Sequence, residues 1–414
     1  MNILQLILQT YLNKFSNTIK LINDAINNDC KQIIIIPSYC EPDLQETLKS
    51  LTNCLSPNFI IEVIIVLNCS VEDIEALQFH EKQKKQLEQI YSVHGNLIFH
   101  FILISNLPLK HAGVGLARKI GMDEAIRRFH SINYDGLLTC LDADCLVSKN
   151  YLLELEKIAV VPENYNTICL NFEHEIITEK NEELKTGIIF YELFLRYYKE
   201  GLSYCGFEYP FHTIGSSMAV KASIYCKAGG MNKRKAGEDF YFLTKVFSFG
   251  KVIELNNVTV VPSARISTRV PFGTGRAQQN FIETKDETYT SYSFQTFEDL
   301  KQFFAIDFYE AEFDFTSLPL SLKQFVQEAE LRNKLAEIKN NTSSKQQFQK
   351  RFFDWFDSFM VLKFVHFARD NNYPKSDILQ EVKKLIAKKE NILNLVSKED
   401  VLLYLRELQR KTNF

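Results

Sequence analysis

The chain has 414 residues, 46% apolar and 24% charged, which is enough for a large core and far too apolar for a disordered segment. A formal net charge of −3 lacks the basic excess that a nucleic-acid partner requires, and no apolar run approaches the ~20 residues of a membrane span. Nine scattered cysteines without a C-x-x-C pair speak for a reducing compartment, and 33 Phe with 18 Tyr are read as core filling rather than a base-stacking surface. The first ten residues lack the basic start and small-residue cleavage site of a secretory signal. A cytoplasmic protein is expected, with peripheral contact at the inner face of the membrane left open.

Residues 1–30 read as a helical segment with Leu4, Ile7, Leu8, Tyr11, Leu12 and Phe15 on one face. The run Gln32-Ile-Ile-Ile-Ile-Pro37 looks like a strand buried on both faces. A turn at 38–42 and a helix over 43–54 follow. A second buried strand is predicted over 60–67, a polar helix over 71–91, a third strand over 97–104 and a helix over 113–129. The stretch Leu137-Leu-Thr-Cys-Leu-Asp-Ala-Asp-Cys-Leu-Val147 supplies a fourth strand. Strands alternating with helices imply right-handed crossovers and a mainly parallel sheet with helices on both sides. Ligands bind such sheets outside the carboxyl ends of the strands, where Pro37, Asn68 and the acidic pair Asp142 and Asp144 all fall.

Beyond residue 150 the pattern loosens. Strands are expected at 167–172, 216–221 and 251–261, and helices at 182–198 and 238–249. From about residue 295 the reading is helical, with Phe353, Phe356, Met360, Phe364 and Phe367 at helical spacing and Ser376 and Asp377 placed to cap a later helix. The expected organisation is an N-terminal helical segment (1–30), an α/β domain (31–290) and an appended C-terminal helical domain (291–414).

Two carboxylates at i and i+2 near a strand end point to the same side and repel unless a cation or a proton intervenes. Asp142 and Asp144 therefore fit either a turn cap or a site for a hard divalent ion, Mg²⁺ or Mn²⁺, shared with substrate phosphates. Their position after an apolar strand in an alternating fold favours the ion. Metal held there would neutralise a diphosphate and stabilise it as a leaving group.

Five ordered motifs over residues 32–250 carry a family resemblance. Pro37-Ser38-Tyr39-Cys40-Glu41-Pro42, Asn68-Cys69-Ser70, Gly113-Val-Gly115-Leu-Ala117-Arg118, Leu141-Asp142-Ala143-Asp144, and Gly229-Gly230-Met231 with Gly237-Glu238-Asp239 resemble the motif series of family-2-type glycosyltransferases with the GT-A fold. The resemblance implies a nucleotide-diphosphate-sugar donor and a sugar or glycan acceptor. By position, Pro37, Tyr39, Glu41 and Asn68 would hold the nucleoside. Asn68 stands where the family usually has Asp, and an amide donates as well as accepts, so the base stays open. Arg118 would face the donor phosphates or ribose, unless it is a helix-surface arginine. Asp144 would be the principal metal ligand, and Asp142 would bind metal or ribose.

Glu238 and Asp239 open a helix whose dipole favours negative charge, which offers a purely structural reading. The resemblance instead makes Asp239 the general base for an acceptor hydroxyl, with Glu238 beside it, and implies inversion. His212 lies in the region expected to shape the acceptor side, where a structural histidine is the competing reading. In Ser263-Ala-Arg265-Ile-Ser-Thr-Arg269-Val-Pro-Phe-Gly273-Thr-Gly275-Arg276, glycines and arginines suggest a lid that closes, through Arg269 and Arg276, on the donor diphosphate or an anionic acceptor, against an ordinary surface loop. Two rival functions stay open. A sugar-phosphate nucleotidylyltransferase would want a glycine-rich loop after the first strand, and a non-catalytic nucleotide-sugar-binding protein could share the fold.

Overall fold

The computed structural model describes residues 2–16, 19–160, 165–177, 179–267, 273–284, 289–310, 313–389 and 395–411. Two compact units emerge, one of Met1–Glu179, Thr213–Gln279 and Gln409–Phe414, the other of Lys180–His212 and Asn280–Leu408.

The first unit is built on a nine-stranded sheet. Its strands are β1 (Cys30–Ser38), β2 (Ile60–Ser70), β3 (Val93–His94), β4 (Leu97–Leu107), β5 (Leu137–Cys140), β6 (Leu146–Val147), β7 (Tyr165–Phe172), β8 (Met218–Lys221) and β9 (Lys251–Val261). They lie in the order β3-β4-β2-β1-β5-β8-β7-β9-β6. The longest pairings, β1 with β2, β2 with β4 and β7 with β9, are parallel. The expected α/β architecture is therefore present, with antiparallel members besides: the two-residue strands β3 and β6 run against β4 and β9. Strand β8 runs antiparallel between β5 and β7, so the sheet is mixed in its second half.

Helices of this unit are α1 (Ile3–Phe15), α2 (Leu44–Thr52), α3 (Ile74–Ile90), α4 (Val114–Ile132) and α5 (Tyr151–Val160), followed after α6 (Glu182–Tyr204) of the other unit by α7 (Ala222–Lys227), α8 (Glu238–Phe247) and α9 (Thr274–Thr284), whose last turn passes into the second unit. The isoleucines of β1 divide between two faces, as the period of two demands. Ile34 and Ile36 join a core with Leu44, Leu48, Val63 and Ile65. On the other face α4 comes so close that a Cβ on Gly121 would lie 2.6 Å from Ile35 Cγ2. Glycine there sets the depth of α4, and hence the height of Arg118 three residues earlier.

The N-terminal helix is shorter than expected. It ends at Phe15, Ser16 is extended, and residues 19–29 form turns, with Asn27 Oδ1 accepting the Asp29 N–H (2.8 Å). Asparagine and aspartate crowd that segment, and their side chains compete with the helical hydrogen bonds. The inward face of α1 is Leu8, Tyr11 and Leu12, while Phe15, expected on the same stripe, is 44% exposed.

The second unit is helical: α6, then α10 (Phe294–Phe304), α11 (Leu320–Phe325), α12 (Glu328–Asn340), α13 (Lys345–Trp355), α14 (Ser358–Asn371), α15 (Ile378–Lys389) and most of α16 (Lys398–Lys411), with a short antiparallel pair β10 (Thr290–Ser291) and β11 (Ser376–Asp377). The core is aromatic. Phe303 packs on Phe308, Phe352 and Phe356 with ring centroids 5.1–5.9 Å apart. Beneath it Glu192, fully buried, accepts from Arg196 Nε (2.8 Å) and Arg406 Nε (2.7 Å). Among the described residues no helix is long and apolar enough to cross a membrane.

Candidate active site

Four parallel strands, β4, β2, β1 and β5, deliver their carboxyl ends to one rim of the sheet. After β1 the chain turns through Cys40, which takes a left-handed backbone (φ 45°) unusual for a residue with a Cβ. Helix α3 holds this turn from the side. Tyr39 donates its hydroxyl to Asp73 Oδ2 (2.6 Å), the Cys40 N–H points to His80 Nε2 (3.3 Å), and Gln83 Nε2 donates to the Glu41 carbonyl (2.7 Å). Burial lowers the His80 pKa, which keeps the ring neutral and able to accept. Pro37 is buried within β1 opposite Val66, and Asn68 is buried within β2 opposite Ile104.

The acidic pair sits one turn beyond β5. Leu141 N still bonds Ile35 O (3.1 Å), Thr47 Oγ1 of α2 donates to the Ala143 carbonyl (2.8 Å), and Cys145 N closes on Asp142 O (3.2 Å). The loop is thus fixed on both sides of Ala143. Asp142 meets Arg118 Nη2 at 2.5 Å, and Arg118 Nη1 binds Glu238 Oε1. Arg118 is 1% exposed. It is not a surface residue; it ties the end of β5 to the start of α8. Burial alone would lower its pKa, but Asp142 and Glu238 outweigh that and raise it.

Glycines make this approach possible. A Cβ on Gly115 would lie 2.2 Å from the Arg234 carbonyl and 3.0 Å from Glu238 Cβ, and one on Gly215 would lie 2.8 Å from Arg118 Nη1. The loop into α8 closes with Gly237 in the left-handed region (φ 69°), which favours a residue without Cβ. Glu238 is then consumed by Arg118, whereas Asp239 is half-buried. Its Oδ2 accepts from Gly215 N (2.9 Å) and its Oδ1 from Phe240 N (2.8 Å), leaving a second lone pair on each oxygen. Burial pushes the Glu238 carboxyl up to about 7 against the pull of Arg118, with Asp239 and Asp142 adding to the rise. The Asp239 pKa is also raised, chiefly by burial. One guanidinium thus faces three carboxylates, Asp142, Glu238 and Asp239.

Sequence pattern alone does not mark a second cation of the site. Arg265, just past β9, binds Glu41 Oε2 through Nη2, reaches Asp144 Oδ2 at 3.3 Å and Asp43 Oδ2 through Nη1 at 2.8 Å. Only three-dimensional proximity distinguishes it from the other arginines of that loop. Arg269 lies outside the described residues. Arg276 lies in α9, half-buried, with Nη1 on Gln279 Oε1 (2.9 Å). His212 is the last residue of the second unit's first segment, half-buried. The structure thus brings together Glu41, Arg118, Asp142, Asp144, Glu238 and Asp239.

Among the described residues no set of three His, Cys, Asp or Glu side chains is disposed to hold a metal. A hard ion shared with phosphate needs only one or two carboxylates. Asp144 and Asp142 provide those: burial, Asp142 and Glu41 push the Asp144 carboxyl up to about 6 against the pull of Arg265. The residues present fit such an ion.

No family model matches the chain, and no curated protein matches it in sequence. Similar solved structures include residues 1–349 of Staphylococcus aureus TarS, at 17% identity and TM-score 0.34 over 55% of this chain and 60% of that one. The same TarS fragment in complex with UDP-GlcNAc is similar at 14% identity and TM-score 0.38 over 71% and 78% of the two chains. The mannosyltransferase PcManGT from Pyrobaculum calidifontis, in complex with GDP-Man and Mn²⁺, is similar at 14% identity and TM-score 0.34 over 64% and 70%. Against the longer TarS structure this chain spans 37% of that chain's length.

Proposed function

We propose that this chain is a glycosyltransferase that moves a sugar from a nucleotide-diphosphate donor to an acceptor hydroxyl with inversion at the anomeric carbon. The observation that carries the reading is the convergence, through buried Arg118, of the Asp142 loop and the Glu238–Asp239 helix start beside the turn after β1. Those are the motifs whose order and spacing resemble the family's, and a purely structural role for each would not require them to meet.

The nucleoside takes the turn at 39–41 and the end of β2, where Tyr39, Glu41 and Asn68 offer polar groups and Pro37 shapes the floor. A Mn²⁺ or Mg²⁺ ion held by Asp144, with Asp142 beside it, would neutralise the donor diphosphate as it leaves. Asp239 takes the proton of the acceptor hydroxyl, whose oxygen attacks the anomeric carbon while the bond from that carbon to the diphosphate oxygen breaks. Gly215 N and Phe240 N fix the Asp239 carboxylate for this step, and Arg118 prevents Glu238 from competing for the acceptor. The acceptor is a sugar or glycan hydroxyl.

The test is a thermal-shift panel of UDP-, GDP-, dTDP- and CMP-sugars, with and without Mn²⁺, on wild type, Asp144→Ala and Asp239→Asn. A ligand at 100 times its dissociation constant stabilises by about 2.7 kcal/mol. Stabilisation by one nucleotide class is expected in wild type and Asp239→Asn and is expected to weaken in Asp144→Ala. Release of nucleoside diphosphate from that donor should fall by a factor of about 100 or more in Asp239→Asn. Binding without turnover in wild type would leave a nucleotide-sugar-binding protein; no binding by any donor would end the reading.

A further inference from the structure

The acidic rim carries Glu41, Asp43 and Asp144 from two separate segments, and one guanidinium from a third segment reaches all three. Arg265 Nη2 lies between Glu41 Oε2 and Asp144 Oδ2. A divalent ion that binds this oxygen of Asp144 would meet a guanidinium 3.3 Å from it. A guanidinium is a planar fork suited to bridging carboxylates, and here it is about two-thirds buried, so solvent screens the contacts only in part. The residue also sits in a stretch, 262–267, that has no regular secondary structure, so a shift of its backbone breaks no sheet or helix ladder.

We infer that Arg265 is the built-in counter-cation of this rim and competes with a divalent ion for Asp144, so that ion entry and Arg265 departure are one exchange. This rests on the metal-dependent reading above. A dication and a guanidinium on the same oxygen of Asp144 repel each other, and a dication together with a diphosphate makes the stronger set of partners for the carboxylate. Arg265, once released, is a guanidinium beside a diphosphate, the ligand it matches bidentately. The exchange therefore costs the rim little charge balance. It also shields Asp144 and Glu41 from each other when no donor is present.

The experiment measures Mn²⁺ binding alone, with no nucleotide and no turnover, by the loss of the free Mn²⁺ signal in electron paramagnetic resonance. Wild type, Arg265→Gln and Arg276→Gln are compared, with circular dichroism confirming the fold of each. Arg276→Gln removes the same charge from a side chain bonded to Gln279 rather than to the rim. Arg265→Gln should bind Mn²⁺ roughly three- to tenfold more tightly than wild type, the ratio set by one partly screened ion pair. Arg276→Gln should match wild type.

Unchanged or weaker Mn²⁺ affinity in Arg265→Gln would overturn the exchange, as would equal tightening in both variants, which marks a long-range charge effect. Absence of Mn²⁺ binding in every protein would remove the exchange and the metal together. Stabilisation by nucleotide sugars would still stand as a separate result, so the failure of this inference is distinguishable from that of the sugar-transfer reading.

Discussion

Arg118 and Glu238 form a buried ion pair in which the acid remains reluctant to ionise. The carboxyl is shifted from its ordinary value of 4.5 to about 7 because burial, Asp239 and Asp142 outweigh the guanidinium. A raised folded-state value means that the folded protein holds the proton more strongly than the unfolded chain. The destabilisation is absent below about pH 4.5, grows as pH rises towards 7 and is complete above it. Glu238→Gln should therefore gain on wild type by roughly 1–3 kcal/mol between pH 5 and pH 8, read from urea midpoints at each pH. A stability difference that does not change with pH would show that Glu238 is already ionised at pH 5. The pair also marks how far the sequence could be read at this scale. The acidic residues were legible because charge at a strand end or helix start is conspicuous. The partners were not: which arginine of a segment turns inward depends on a glycine 97 positions away in one case, Gly215 making room for Arg118, and on a loop beyond β9 in the other, for Arg265.

Elements were legible where composition is uniform and obscured where one residue does two jobs. The all-apolar runs of β1 and β2 and the span of β9 read directly from the pattern, whereas β3 and β6, with two residues each, carry no periodicity. Helix α6 was expected to end at 198 and continues to Tyr204. Gly201 looks like a stop signal, but it is there because a Cβ would lie 2.6 Å from the Phe297 ring. The aromatic stripe at 353–367 spans two helices, because Asp357 accepts from Phe359 N and Met360 N and starts α14 anew. Ser376 and Asp377 pair with Thr290 and Ser291, and Asp377 also caps α15 through Gln380 N (3.0 Å), as expected.

The docking of α1 offers a direct test at this scale. Tyr11 donates to Asp123 Oδ1 (2.7 Å), which also accepts from Tyr225 (2.8 Å), and Lys119 bonds both Tyr11 and Asp123. Gly230, at φ 78°, faces this knot, and a Cβ there would lie 2.0 Å from the Tyr11 hydroxyl. Gly230→Ala should cost about 1–3 kcal/mol from backbone strain, with the displaced hydroxyl adding to it. Amide exchange in residues 3–15 should speed up in the variant; unchanged protection there would mean that α1 is held by its apolar face alone.

At the scale of the whole molecule, each unit has a core that can be probed separately. The sole tryptophan, Trp355, belongs to the second unit and packs on Phe352 and Phe356 with centroids 5.8 and 5.7 Å away. Its fluorescence reports on that unit's unfolding. Glu192 is the acidic centre between Arg196 and Arg406, and replacing it with Gln leaves two buried guanidiniums without their shared charge. A loss of about 3–5 kcal/mol is expected in the Trp355 transition under urea. A shift of less than 1 kcal/mol would mean that Arg196 and Arg406 are satisfied by other partners.

Strand β8 runs against its neighbour β5, so it contributes its beginning to the rim where β1, β2, β4 and β5 contribute their ends. Gly215 reaches Asp239 for that reason. The working residues, scattered from position 37 to 265, are thus gathered along one border of the sheet, and the turns on the border across from it, at 53–58 and 133–136, carry none of them. A graft or a label that lengthens either turn meets none of the carboxylates and none of the arginines of the site. The fold keeps its place for handling apart from its place for chemistry.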